Sequence, residues 1–163
     1  MSGKTARTIC IASVIGLIGV GAIADPVKGK YVKISIPGKK KILSLAEVQV
    51  MSDNKNVALK KKATQSSDYY NRGKAELAVD GKTDPVFNNK SVTHTMPGDD
   101  PWWMVELDKP VVINEIIITN RKILWERLVG AHVQILDENK KVVSEDTIKD
   151  KKAVYKIKPS PKK

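Results

Sequence analysis

Seven short runs of apolar or alternating residues, each closed off by turn-forming residues and none carrying the period of a helix, set the limits on what this chain can become. They occupy residues 31–36, 43–50, 102–107, 111–119, 131–136, 142–143 and 153–157. β-branched side chains are frequent in them. In the first run Val32, Ile34 and Ile36 alternate with Lys33 and Ser35, and in the fifth Ala131, Val133 and Ile135 alternate with His132 and Gln134. A period of two places one set of side chains on one face of an extended strand, as a half-buried sheet requires. Pro37-Gly38, Asp80-Gly81, the stretch 97–101 and Asp137-Glu138-Asn139 break the runs as turns. Short strands punctuated in this way predict an all-β fold, an antiparallel β-sandwich or barrel. Residues 74–79 are the one helical candidate. Trp102 and Trp103 are neighbours in a strand, so they point to opposite faces and at least one belongs to the core.

The start of the chain follows different rules. Lys4 and Arg7 precede an apolar run over residues 8–23, which ends in Ala22-Ile23-Ala24 before Asp25-Pro26. That is the pattern of a signal peptide over residues 1–24. The run has 16 residues and three glycines, short of the roughly 20 apolar residues of a spanning helix. Cleavage is therefore expected, with a secreted or periplasmic product and no membrane span after cleavage. Cys10 lacks the small-residue setting of a lipoprotein site and reads as apolar filler. The remaining 139 residues contain no cysteine, so the fold rests on packing and on any ion it binds. They form one domain over residues 25–157, followed by a disordered basic tail, residues 158–163, in which Pro159 and Pro161 oppose ladder formation.

Without Lys4 and Arg7 the chain holds 27 basic and 18 acidic residues, a net charge of +9. Nucleic acid is the usual partner of such a balance, but the positive charge is nearly all lysine, with only Arg72, Arg121 and Arg127 left. The lysine runs 39–41, 60–62 and 151–152 read as solvated turns and protected strand edges, and no nucleic-acid partner is expected. The sequence has no nucleophile elbow, no glycine-rich phosphate loop and no histidine pair at metal-ligand spacing. His132 alternates with apolar neighbours toward solvent, and Asp99-Asp100 is a turn pair, so no enzyme activity is expected.

The segments 56–67, 78–84 (Ala-Val-Asp-Gly-Lys-Thr-Asp), 93–95 (Thr-His-Thr), 100–107 (Asp-Pro-Trp-Trp-Met-Val-Glu-Leu), 118–121 and 126–130 together resemble, in order, the F-type lectin (fucolectin) branch of the discoidin, or coagulation factor V/VIII type C, domains. The resemblance runs from about residue 56 to 137. It implies a jelly-roll-like antiparallel β-sandwich and a carbohydrate-binding function. The preceding segment, residues 30–50, resembles the strand pair that closes the family's domain at its C-terminal end, which implies a circularly permuted order.

Fucose-binding members of that family carry a histidine, 26 intervening residues, and an arginine opening a short motif with an aspartate and a second basic residue. His94 and Arg121 reproduce the interval, and Arg127 supplies the second basic group. Imidazole and guanidinium offer fixed hydrogen-bond donors for ring hydroxyls, and a guanidinium fork holds two oxygens at once. The motif departs from the family's pattern in three ways. Ile123 stands at the aspartate position, the loop is one residue short, and the cysteine pair of some members is missing. His94 and Arg121 therefore have two readings, ligand contact or scaffold hydrogen bonding. Trp125 likewise either stacks on a sugar or packs beneath the loop.

The resemblance also implies a structural calcium ion. Leu77 stands 17 positions before His94, the family's interval from its first calcium-binding carbonyl. The implied ligands are the carbonyls of Leu77, Lys82 and Val92, the Asp80 carboxylate, Ser91, and Glu47 from the closing strand. Hard oxygen donors suit calcium. The resulting expectation is a secreted lectin-like module for fucose or a related sugar, with a glycan or glycoconjugate as partner and homo-oligomerisation for avidity. The alternative is an envelope or extracellular adhesion module that binds a protein partner or an anionic polymer through its lysines.

Overall fold

A computed structural model describes residues 25–162. The expected signal peptide lies outside the described residues, and among the described residues no helix is long and apolar enough to cross a membrane. Nine strands run β1 Lys28–Ser35, β2 Glu47–Ser52, β3 Lys55–Asn56, β4 Lys62–Gln65, β5 Trp102–Val112, β6 Glu115–Thr119, β7 His132–Leu136, β8 Val142–Thr147 and β9 Val154–Ile157. They form two sheets, ordered β4-β5-β1-β7-β8 and β3-β2-β6-β9, and the pairings are antiparallel. The chain is thus the expected all-β sandwich, with β1 and β2 in the interiors of their sheets.

The alternation read from the sequence decides which faces meet. Val32 and Ile34 of β1, Trp103, Val105 and Leu107 of β5, and Val133 and Ile135 of β7 are buried opposite Val48 and Val50 of β2, Ile116 and Ile118 of β6, and Tyr155 of β9. Full burial of such a side chain stabilises by about 1.5–3 kcal/mol. Trp103 takes the inward face and its indole N–H donates to the Ala75 carbonyl at 2.9 Å. Trp102 faces outward, with the Lys33 ammonium 5.8 Å from its ring. Residues 75–79 form a 3₁₀ turn rather than an α-helix. Lys62 and Lys156 lie on the edge strands β4 and β9, where a charged side chain discourages pairing with another chain.

Three segments differ from the sequence expectation. The run 102–107 continues through Pro110 to Val112, because the register between β5 and β1 shifts between Glu106 and Val111 and the ladder does not call on the missing proline N–H. Residues 43–46 precede β2 as irregular backbone, since the Thr95 and Thr93 hydroxyls accept the N–H groups of Leu43 and Leu45, each at 3.0 Å. Lys62–Gln65 is a strand whose pattern is too short and too polar to stand out. In the tail, Lys162 donates its backbone N–H to the Val143 carbonyl at 2.8 Å.

Candidate functional site

The position of His94 follows from the two threonines beside it. Thr93 and Thr95 donate their N–H groups to the Leu45 and Leu43 carbonyls while accepting back through their hydroxyls. This clamps extended backbone on both sides of His94, whose own N–H donates to Gly73 O and whose carbonyl accepts from Tyr69, both at 2.8 Å. Gly73 is required here: its φ is +66°, and a Cβ would lie 2.6 Å from the His94 nitrogen. The imidazole is buried and its Nδ1 lies 2.8 Å from the Thr95 carbonyl. A carbonyl only accepts, so Nδ1 carries the hydrogen and Nε2 keeps its lone pair. Burial pushes the His94 pKa down, the Thr95 bond opposes this, and the charges of Arg121 and then Arg127 push it further down. His94 is therefore a neutral ring with one acceptor free, whereas the sequence pointed to a donor.

Arg121 follows directly on β6. Asn120 fixes the turn by accepting the Arg121 N–H at 2.9 Å and donating to the Lys152 and Trp125 carbonyls at 3.2 and 3.4 Å. The Arg121 guanidinium is buried and its Cζ lies 5.4 Å from the centre of the Phe87 ring. Arg127 comes from the 3₁₀ turn Trp125–Leu128, entered through Leu124 at φ +64°. Burial, and then the charge of Arg127, push the Arg121 pKa below its ordinary value. Arg121 Nε and Arg127 Nη1 are buried with no hydrogen-bond partner, and among the described residues neither arginine pairs with a carboxylate.

The aromatic residues beside this cluster are Tyr69 and Phe87, with ring centres 4.6 and 5.2 Å from that of His94. Sequence reasoning missed both. The available signal was slight: Phe87 is the single phenylalanine of the chain, and it stands in a polar turn between Asp84 and Asn89. Trp125 lies elsewhere. It is 37% exposed and lines a separate groove with Ile117, Thr119, Asn120 and Val154, which shares Arg121 with the cluster but not His94 or Phe87. Ile123, at the motif's acidic position, is 58% exposed.

A second arrangement surrounds Glu47, the first residue of β2. Its side chain is 0% exposed and, among the described residues, neither carboxylate oxygen has a hydrogen-bond partner. Burial pushes its carboxyl up to about 8, an effect the neighbouring Gly81 N–H opposes and the Asp80 charge reinforces. Asp80 opens a tight turn, its Oδ1 accepting the Lys82 N–H at 2.8 Å, and the exposed Lys82 ammonium lies 3.7 Å from Oδ2. Ser91 donates its hydroxyl to the Asp84 carbonyl at 2.8 Å and keeps lone pairs free. Among the described residues no turn or loop hydrogen bond ends on the Lys82 or Val92 carbonyl. No three His, Cys, Asp or Glu side chains cluster as a metal site among the described residues. An orphaned buried carboxylate beside a second acid and free carbonyls fits a hard cation.

The family of F5/F8 type C domains described as "NedA-like, galactose-binding domain" matches residues 77–162, just over half of the chain. Fucolectin-6 of Anguilla japonica is 39% identical over 89 residues, covering 52% of this chain and 48% of its own length. Fucolectin-5 of the same eel is 41% identical over 86 residues, covering 49% and 45%, and the fucolectin of Anguilla anguilla is 38% identical over 85 residues, covering 49% and 54%. The chain spans about half the length of these curated relatives. No solved structure matches it.

Proposed function

The chain belongs to the F5/F8 type C family of NedA-like, galactose-binding domains, and from that premise we propose that it is a secreted, non-catalytic, lectin-like module that binds a sugar at His94, Arg121 and Arg127. The observation that carries this reading is the pair of buried, unpartnered guanidinium N–H groups beside a histidine with a free acceptor. Buried polar groups are normally satisfied, and these are satisfied when a ring with vicinal oxygens enters. The arginines donate to its oxygens and His94 Nε2 accepts one hydroxyl hydrogen. Phe87 and Tyr69 supply apolar faces for the C–H side of the ring. The eel relatives carry the name fucolectin, which supports fucose or a related sugar as the ligand.

We assign Glu47, Asp80, Ser91 and the carbonyls of Leu77, Lys82 and Val92 as the ligands of a structural calcium ion. The ion's charge would compensate the buried Glu47 carboxylate and tie β2 to the loop that leads to His94. It would supply no chemistry beyond that. A glycan array on the purified protein, with calcium and with a chelator, tests the reading. Calcium-dependent binding that disappears in Arg121→Ala is the expected result. A folded protein that binds no glycan refutes it and favours the adhesion alternative, in which the lysines dock a protein or an anionic polymer.

A further inference from the structure

The lectin reading leaves the class of sugar open, and the charges around the site narrow it. We propose that the sugar carries an anionic group, a carboxylate or a sulfate ester, held by Arg121 and Arg127 while a hydroxyl of the same ring donates to His94 Nε2; this rests on the lectin reading above.

Two independent observations support it. The first is the charge balance of the cluster. The charges of Arg121 and Arg127 both reach His94, and that of Arg127 reaches Arg121. Neither the acid that approaches through Lys122 nor the one adjacent to Arg127 in sequence pairs with these arginines. Asp84 accepts hydrogen bonds from the Asn89 side chain and the Val86 N–H and feels Lys122, and exposed Glu126 pairs with neither arginine. Where the motif calls for an aspartate the chain has Ile123. Two neighbouring guanidinium groups, each with a buried unpartnered nitrogen, therefore have no paired carboxylate among the described residues. A neutral hydroxyl would satisfy their N–H groups but leave the like charges uncompensated. An oxyanion does both, through charge-assisted bonds about twice as strong as neutral ones.

The second observation is the cleft on the other side of Phe87. It encloses about 560 Å³ and is lined by Arg72, Lys74 and Lys90 around an apolar floor of Leu77, Phe87 and Val92, with no acidic side chain in its wall. Phe87 is common to this cleft and to the concavity beside Arg121. A further acidic residue of the same glycan would thus enter a basic setting as well.

The free acceptor on His94 separates this ligand from a bare anion. Sulfate at neutral pH has no hydrogen to donate, so it would satisfy the arginines and leave Nε2 empty. Titration calorimetry of the purified protein with calcium, comparing D-galactose with D-galacturonate, L-fucose with a sulfated L-fucose, and sodium sulfate alone, decides the matter. The charged sugars should bind on the order of tenfold or more tighter than their neutral parents, and sodium sulfate should bind much more weakly than either. The carboxylate and sulfate arms identify the anionic group. Arg121→Gln should remove the preference. Because Ile123 is exposed, Ile123→Asp should fold normally and bring the charged sugars down to the level of the neutral ones. Equal or tighter binding of the neutral parents, sulfate binding as tight as the charged sugars, or an unchanged preference in Ile123→Asp would overturn the proposal and leave the lectin reading standing. A folded protein that binds none of the sugars would overturn both.

Discussion

The buried acid at Glu47 gives the sharpest test of the calcium assignment, because its cost can be worked out for the metal-free protein. Its carboxyl titrates near 8 in the fold against 4.5 for a free side chain. Between those values the folded chain holds a proton that the unfolded chain has released. Linkage then makes stability fall as pH rises from about 4.5 to about 8, and level off above that. A shift of that size corresponds to about 5 kcal/mol at most at 1.36 kcal/mol per pKa unit. Relaxation of the surrounding structure and transient water entry soften the field around a buried carboxylate, so a loss of about 2–3 kcal/mol is the expected magnitude. Urea unfolding in chelator across that pH range should show the decline. Calcium should abolish it by neutralising the charge and by binding only the folded state. Glu47→Gln has no proton to lose and should be nearly independent of pH in this range, matching wild type at acid pH and exceeding it at pH 8 in chelator. It should also lose the stabilisation by calcium. Chelated wild type with flat stability over this range, indistinguishable from Glu47→Gln, would refute the account of Glu47 as an uncompensated buried acid.

Gly73→Ala should destabilise by about 1–2 kcal/mol from left-handed backbone alone, and its clash with the His94 backbone should weaken sugar binding as well. Thermal melts and calorimetry read the two effects, and unchanged binding would show that the site does not depend on His94. Trp103→Ala should cost about 3–5 kcal/mol in urea unfolding, whereas Trp102→Ala, on the opposite face, should cost less than about 1 kcal/mol. The depressed pKa of His94 means that the unfolded chain binds its proton more readily. The stability it contributes is thus present above 6.5 and lost as pH falls through the lower folded value. An imidazole titration followed by NMR should give a midpoint below 6.5, and one at or above it would contradict the burial of the ring beside two arginine charges.

Much of the fold was legible because a strand's faces are fixed by its own residues. The alternation in 31–36 and 131–136 foretold which side chains of β1 and β7 enter the core, and the adjacency of Trp102 and Trp103 required one of them to turn inward. Strand limits were less legible. The Thr93 and Thr95 hydroxyls divert the N–H groups of Leu43 and Leu45 from a ladder, and those threonines lie about fifty residues away in the chain. The spacing of His94 and Arg121 selected the two residues that the structure brings near each other, but their neighbours came from loops whose approach no local pattern encodes. Phe87 and Tyr69 replaced Trp125 as the aromatic neighbours of His94 for that reason.

The sequence by itself determined the sandwich, the inward and outward faces, the basic surface and the missing acid at Ile123, since period, composition and motif are properties of neighbouring residues. Only the tertiary structure decided that Glu47 is buried beside the Asp80-Gly81 turn, that His94 spends its hydrogen on Thr95 and keeps an acceptor, and that among the described residues two neighbouring arginines have no carboxylate paired to them. Burial, tautomer and charge balance depend on which distant segments exclude water from a group, and that is settled when the loops pack at the end of the sandwich.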